Sequence, residues 1–519
     1  MRLLPILFVS AALATAWYEK DASTGILKEL GPKLSQGARV VFQGEEGFEE
    51  RIKRRQGWEA PDFRAIVDVK SEEDVQETIR YATRHNIPFL AVSTGHGQSA
   101  SLSKVQDGIM INMRGLNAIS ISDDATYATV GGGIKGKEVI DHLWAHGKQT
   151  VTGVCECVSL SGVALGGGHG ILQGHHGLLS DQILSLRLVL ANGSAITVSE
   201  TENTELFWAL RGAGHNFGVV TELKYRIYGI DQYPGGETWS YEALTYPATR
   251  ENVRAVYSIA KGQMDTQLEG MMIYGMVTLN PQVSNEPILM HHVALNGPLA
   301  NLSAWTKPYH DLAPAAVAKE EGTFLDLPRF FQIEDRGPAC NAAAHLPGTG
   351  KVRVPVDIPT YNVDALVAAV DKFVQVRTSN PEFAGSFMVI EQYSTKGVRS
   401  IDPAVSVFPS RQDKLLLAPE IFYPSLDAET GEQNRALHEL AVQSGEEIKR
   451  LLVQGAKEQG GGSHSYVNYA YGGETLEEVY GKEGLGRLRK LKREFDPRNR
   501  FGYYVPVEPA EETEGHDEL

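Results

Sequence analysis

Cysteine is almost missing: 519 residues hold three, Cys155, Cys157 and Cys340. That is too few for a disulfide framework, and the count is odd. Long apolar runs are missing too. Beyond the N-terminus no stretch approaches the ~18 uninterrupted apolar residues of a membrane span, so the mature chain is not expected to cross a bilayer. Positive charge is in short supply as well, and a net charge of −16 excludes the basic footprint that nucleic-acid binding needs. What remains is ordinary for a globular protein: 42% hydrophobic and 22% charged residues. The length allows roughly two to four domains with sizeable cores. Glycine stands out, with 53 residues against a usual share of about 7%, and points to many tight turns and close backbone approaches.

Both ends read as addresses. "MRLLPILFVSAALATA" has a basic Arg2, an apolar run and a small-x-small Ala14-Thr15-Ala16 before Trp17, the pattern of a cleaved secretory leader over 1–16. The final His516-Asp517-Glu518-Leu519 is an ER-retrieval signal, read by a receptor. Together they predict residence in the ER lumen, with secretion as the alternative. Asn192-Gly193-Ser194 and Asn301-Leu302-Ser303 are possible glycosylation acceptors.

Between residues 64 and 230, strand-like stretches such as "RAIVDV", "IPFLAVS", "GIMINM" and "YATVGGG" alternate with helix-like ones such as "SEEDVQETIRYATRHN" and "KEVIDHLWAHG". Asn192-Gly193 lies between two apolar runs and predicts a hairpin turn. From about 235 to 455 longer helical patterns ("YNVDALVAAVDKFVQVR", "NRALHELAVQSGEEIKRLLVQ") mix with strands ("GSFMVIEQYS", "KLLLAPEIFY"), as in an α+β domain whose helices cover an antiparallel sheet. A closing segment places Leu485, Leu488, Leu491 and Phe495 at helical spacing. Its basic "RLRKLKREF" reads as that helix's solvated face.

Several motifs compete for chemistry. Gly131, Gly133 and Gly136 have the G-x-G-x-x-G spacing of a nicotinamide-dinucleotide site, and Glu156 follows 20 residues on. A dinucleotide acid should end the next strand, however, whereas Glu156 sits between two cysteines. The Cys155-x-Cys157 spacing, with His169, His175 and His176 a dozen or more residues away, is poor for zinc. Packing or a Cys157–Cys340 disulfide competes with it. "AVSTGHGQSAS" sets His96 between two glycines after a strand, a loop able to turn backbone N–H groups toward a phosphate. A second glycine-rich run, 162–170, follows a thiol. Two such loops, each with a nucleophilic side chain, suit one large cofactor tethered twice.

With "STGHGQS", "ATVGGGIKGKEVIDHL", "TGVCECVSLSGVALGGGHG", "ELFWALRGAGHNFGVVTELKY", "SYVNYAYGG" and "LKREFDPRNRF" in that order, the chain resembles the berberine-bridge-enzyme-like branch of the vanillyl-alcohol-oxidase/PCMH superfamily. The resemblance implies an α+β fold: a two-part PCMH-type FAD-binding domain at 17–234, a substrate domain at 235–455, a closing segment at 456–507 and an acidic tail at 508–519. It also implies bicovalent FAD, with His96 at the position that bonds the flavin 8α-methyl and Cys155 at the one that bonds C6. Gly95, Gly97, Ser161, Gly162, Gly166, Val219 and Asn468 stand where the cofactor is contacted. Tyr469 is the leading base, Tyr466 lines the pocket, and Glu391 is a second candidate base, although a strand glutamate is more often solvated. Two positions depart from the family pattern: Gly97, where Ser or Asp is usual, and His169, where tyrosine or an aliphatic residue is common.

The expected activity is an FAD-dependent oxidase of a small molecule, a secondary metabolite, with O₂ as acceptor and H₂O₂ as product. The alternatives are a secreted oligosaccharide oxidase, an NAD(P)-dependent dehydrogenase and a non-catalytic luminal flavoprotein.

Overall fold

The computed structural model describes residues 25–279, 284, 286–337, 339–340, 348–427 and 430–511. The leader reading at 1–16 and the HDEL tail lie outside them. Local signals set the first elements. Ser71 caps helix Glu72–Arg84 by accepting from Asp74 N, while the Asp74 carboxylate accepts from Ser71 N at 3.0 Å, a reciprocal pair that satisfies two orphan donors. The Asn192-Gly193 turn joins Ile183–Val189 to Ala195–Ser199 as an antiparallel hairpin, with Gly193 at φ +77°.

The N-terminal half holds two sheets. One has the order Arg39–Phe42, Phe63–Asp68, Gly108–Asn112, Phe89–Val92 and is parallel apart from its first pair. The other runs Ile119–Ile121, Tyr127–Gly131, Val219–Arg226, Ile183–Val189, Ala195–Ser199 and is antiparallel throughout. The glycine spacing at 131–136 therefore does not lie on a parallel βαβ unit. Its glycines let backbones touch instead: a Cβ on Gly133 would sit 1.8 Å from the Met113 carbonyl, and one on Gly132 2.0 Å from that of Val220.

The second half is built on an antiparallel sheet of eight strands. Its order is Ala316–Gly322, Trp239–Pro247, Ile288–Asn296, Met271–Thr278, Phe387–Tyr393, Leu415–Pro424 and Thr349–Arg353, with Val356–Ile358 also paired to Leu415–Pro424. One face is apolar and packs under helices Arg250–Gln263, Val363–Ser379 and Arg435–Glu458, through residues such as Ile390, Leu417 and Phe373. Side chains alternate along a strand, so Glu391, Glu420 and Arg353 fall on the opposite face.

The closing segment returns to the first half. Leu485, Leu488 and Leu491 of helix Lys482–Phe495 join the core of Leu206, Phe207 and Trp208. The expectation that its basic stretch is wholly solvated needs correction. Lys492 is fully buried, and its ammonium donates to the Asn216 carbonyl and to Asp496, both at 2.7 Å. A buried ammonium must be paired and hydrogen-bonded, and Asp496 stands one helical turn on to do it.

Candidate active site

A cavity of about 400 Å³ lies between the two N-terminal sheets, the uncovered face of the large sheet and the 466–469 turn. That size falls within the range of small-molecule and cofactor pockets. His96 and Cys155 both line it. The His96 loop is pinned from below: Arg54 donates to the Gly97 carbonyl at 2.8 Å, and Arg55 N to that of Gly95 at 3.0 Å. Gly95 has φ +71°, and a Cβ there would lie 2.9 Å from the Lys53 carbonyl. Only glycine makes this bend without strain. Gly97 packs edge-on to Tyr504, leaving 3.1 Å for a Cβ, so the Ser or Asp usual in the family would be crowded here.

Cys155 is the one unpaired thiol among the described residues, because Cys157 and Cys340 form a disulfide. Burial pushes the Cys155 thiol up, against the pull of Arg55 and Arg353. The glycine run after it opens on helix Leu160–Leu165, where Ser159 Oγ accepts from Gly162 N at 3.0 Å. Ser161 donates to the Gly132 carbonyl, and His215 pairs with that of Gly162. Gly166 is where the closing turn lands: a Cβ would come 2.2 Å from Asn468 Oδ1. Asn468 donates to the Val163 carbonyl at 2.9 Å and to Tyr466 Oη at 2.8 Å. Val219 starts its strand at the cavity wall.

At the sheet end, Tyr469 donates to Glu391 Oε1 at 2.9 Å and Tyr393 to Glu391 Oε2 at 2.5 Å. Glu391 is 3% exposed, so the reading of a solvated strand carboxylate does not hold for it. Burial raises its pKa, and Arg353 and the two phenols restrain the rise. Burial also raises Tyr469 well above the ordinary phenol value, with Arg353 acting the other way. The Arg353 guanidinium lies over the Tyr469 ring, 3.1 Å from its centroid, and 3.6 Å from Glu391. A cation at that position stabilises the electron-rich face of the ring.

Glu420 is the fixed charge of the site. Burial alone would raise it, but Arg55, Arg353 and Lys351 outweigh burial and hold it at about 2. His169 stacks on Tyr393 at 5.4 Å, and burial lowers it to about 4. It therefore brings a neutral imidazole, not a charge, to its unusual position.

Sequence reasoning did not single out Arg353, Glu420, Arg55 or Tyr393. A signal existed for two of them: Lys351 and Arg353 alternate with Val352 and Val354, and Glu420 interrupts the apolar "LLLAPEIFY". Charges at alternate positions of otherwise apolar strands mark a polar row inside a sheet.

These residues fit a bulky, polar cofactor. Glycines face the cavity where side chains would obstruct it, and Arg54 Nε, Gln98 Oε1 and His169 Nε2, all buried and lining the cavity, have no protein partner. Buried polar atoms of that kind call for a ligand or water.

Comparison with known proteins gives the family. Residues 63–199 match the FAD binding domain family model, and 465–508 match the berberine and berberine-like model. The FAD-linked oxidoreductase chyH of Penicillium rubens is 34% identical over 505 residues, covering 95% of each chain. The xylooligosaccharide oxidase of Myceliophthora thermophila superposes with a TM-score of 0.76 at 21% identity, over 94% of this chain and 100% of its own. The glucooligosaccharide oxidase of Acremonium strictum, described with a 6-S-cysteinyl, 8α-N1-histidyl FAD, gives 0.76 at 20%, over 93% and 100%.

Proposed function

Since the chain belongs to the berberine-bridge-enzyme-like FAD-linked oxidoreductases, we propose that it is an oxidase of a small, largely apolar organic substrate, a secondary metabolite, with His96 and Cys155 holding FAD at two points. When bound, FAD supplies the two-electron acceptor, taking hydride at N5 and returning to its oxidised form by reducing O₂ to H₂O₂.

The observation that carries the reading is the Tyr469–Glu391 contact under Arg353. The two candidate bases act as one unit. Tyr469 stays protonated near neutral pH, so it cannot take a substrate proton unless it loses its own. Glu391, 2.9 Å away, accepts that proton as Tyr469 takes the substrate's. Arg353 steadies the charge that passes between them. Such positioned proton transfer contributes typically 10²–10⁴-fold in rate.

The wall that the large sheet and the 331–333 stretch give the cavity includes Met272, Phe331, Ile333, Phe387 and Val389. A polyhydroxylated sugar would leave hydroxyls unpaired against these side chains, which favours the metabolite over an oligosaccharide. The disulfide suits an oxidising compartment, in keeping with the proposed ER lumen.

The test has two arms. By denaturing gel and peptide mass, His96→Ala or Cys155→Ala alone should keep covalent flavin, and the double variant should lose it. H₂O₂ release should be seen with aromatic or aliphatic alcohols and amines and not with oligosaccharides. Covalent flavin in the double variant, or oligosaccharides as the best substrates, would overturn the corresponding half.

A further inference from the structure

Cys155-Glu156-Cys157 serves two purposes in three residues. Cys155 faces the cavity, while Glu156 and Cys157 both hold a segment of the other half of the molecule. That segment leaves the large sheet at Gly322, passes through helix Leu327–Phe330 and reaches the cavity wall, and Cys340 beyond it carries the disulfide. Phe331, Ile333 and Ala339 line the cavity from it. At its sheet end it is held by rings: Phe330 stacks on Tyr241 at 5.4 Å, and Phe331 meets Tyr241 and Tyr274 edge-on at 5.2 and 6.2 Å.

Among its described residues, the other end, from Phe331 to Cys340, carries no strand or helix. It hangs on the Cys155 loop, where Glu156 N donates to the Ile333 carbonyl at 3.3 Å and Asp335 N to Glu156 Oε2 at 2.8 Å. Lys135 pairs with Asp335 at 3.0 Å, and Arg55 donates to the Ala339 carbonyl at 3.1 Å. The Cys157–Cys340 bond, across 183 residues of sequence, locks the contact.

We propose that this disulfide is a staple that makes residues 327–337, with Ala339, a fixed wall of the substrate site, setting Phe331 and Ile333 against the reacting end and closing that side to solvent. The Lys135–Asp335 pair adds little, because both side chains are partly exposed (29% and 28%) and partly solvated ion pairs contribute little, which leaves a few hydrogen bonds to the Cys155 loop and to Arg55 as the non-covalent hold. Without the covalent link the unsupported end lifts, since irregular chain with few buried contacts opens locally at low cost. The inference rests on the proposed function only in naming the cavity as the substrate site.

Hydrogen exchange in the holoenzyme tests it. In the Cys157→Ser/Cys340→Ser double variant, peptides covering 331–337 should exchange at least tenfold faster, with Phe387–Tyr393 unchanged, and trypsin should cut at exposed Arg336 where the native protein resists. If that variant does not fold, native holoenzyme treated with a phosphine, which reduces the bond to two thiols, gives the same comparison. Exchange within twofold of the native protein, with Arg336 still protected, overturns the proposal. Sulfite bleaching of the flavin should also speed up severalfold at unchanged affinity, which separates access from potential. Loss of any flavin signal refutes the proposed function and leaves the exchange result to decide the staple.

Discussion

Glu391→Gln keeps the shape of the buried side chain and an oxygen for Tyr469 to donate to, but removes the proton acceptor. In the structure the Tyr469 hydroxyl donates to Glu391 Oε1 at 2.9 Å and Tyr393 to Oε2 at 2.5 Å; in the variant the amide oxygen keeps the Tyr469 bond and the amide nitrogen donates to the Tyr393 hydroxyl, which can accept. Arg353 keeps Glu420, 3.8 Å away, as a second anionic neighbour, so the amide should be tolerated without refolding the site. The expected loss is about 10²–10³-fold in the rate of anaerobic flavin reduction by the best substrate of the H₂O₂ screen, or about 3–4 kcal/mol of barrier. The pH profile gives a sharper reading. Burial raises the Glu391 pKa, and the group works only when ionised. The native rate should therefore rise with pH through that raised value and then level off, with its limb at higher pH than a solvated glutamate would give. The limb should vanish in the variant. Stopped-flow bleaching of the flavin across pH 4–8, with circular dichroism as the folding control, measures both. A variant that reduces flavin at the native rate, or keeps the rising limb, refutes the coupled phenol–carboxylate unit.

Two further outcomes follow from buried groups. Burial lowers His215 and His292 to about 4 and His291 to about 3, so the unfolded chain binds their protons first as pH drops below ~6.5, the ordinary histidine value. Stability contributed by their neutral forms is complete above that pH and is lost toward pH 4, at up to about 1.4 kcal/mol per unit for each. Urea midpoints should fall steadily from pH 7 to 5, less so in His291→Phe, and a flat midpoint would contradict the burial argument. Gly166→Ala puts a methyl 2.2 Å from Asn468 Oδ1 and 2.7 Å from Val467. It should displace the turn carrying Tyr469, costing about 1–3 kcal/mol of stability by overpacking. Activity should fall at least tenfold while peptide mass still shows flavin on His96 and Cys155.

Where a feature was readable from sequence, its cause was local. The Ser71 capping pair, the Asn192-Gly193 turn and the helical leucines of 485–491 act over three to seven residues, and each forms the element its pattern predicts. The two glycine loops were readable for the same reason: His96 and Cys155 each sit beside the residues that bend the chain around them. Lys492 shows the limit of such reasoning. Its spacing from Leu485 and Leu488 and its i+4 partner Asp496 are local, but the second acceptor that its burial needs, the Asn216 carbonyl, lies 276 residues back.

The proton-handling end of the cavity depends on that kind of distance. Glu391 and Glu420 share one face of the sheet because strand Phe387–Tyr393 pairs antiparallel with Leu415–Pro424, matching Glu391 to Leu416 and Phe387 to Glu420, and Arg353 reaches both. Arg353 arrives because its strand pairs with the same one, Arg353 opposite Glu420. A slip of one residue in either pairing would turn these charges into the apolar face under the helices, where an unpaired carboxylate costs several kcal/mol. The register that buries Ile390 and Leu417 therefore also assembles the charged row, and the same packing energy that holds the sheet together aims Glu391 at Tyr469. Chemistry of this sort leaves only a faint mark on any one strand: a charge at every second position of an apolar run, legible as buried but silent about its partner.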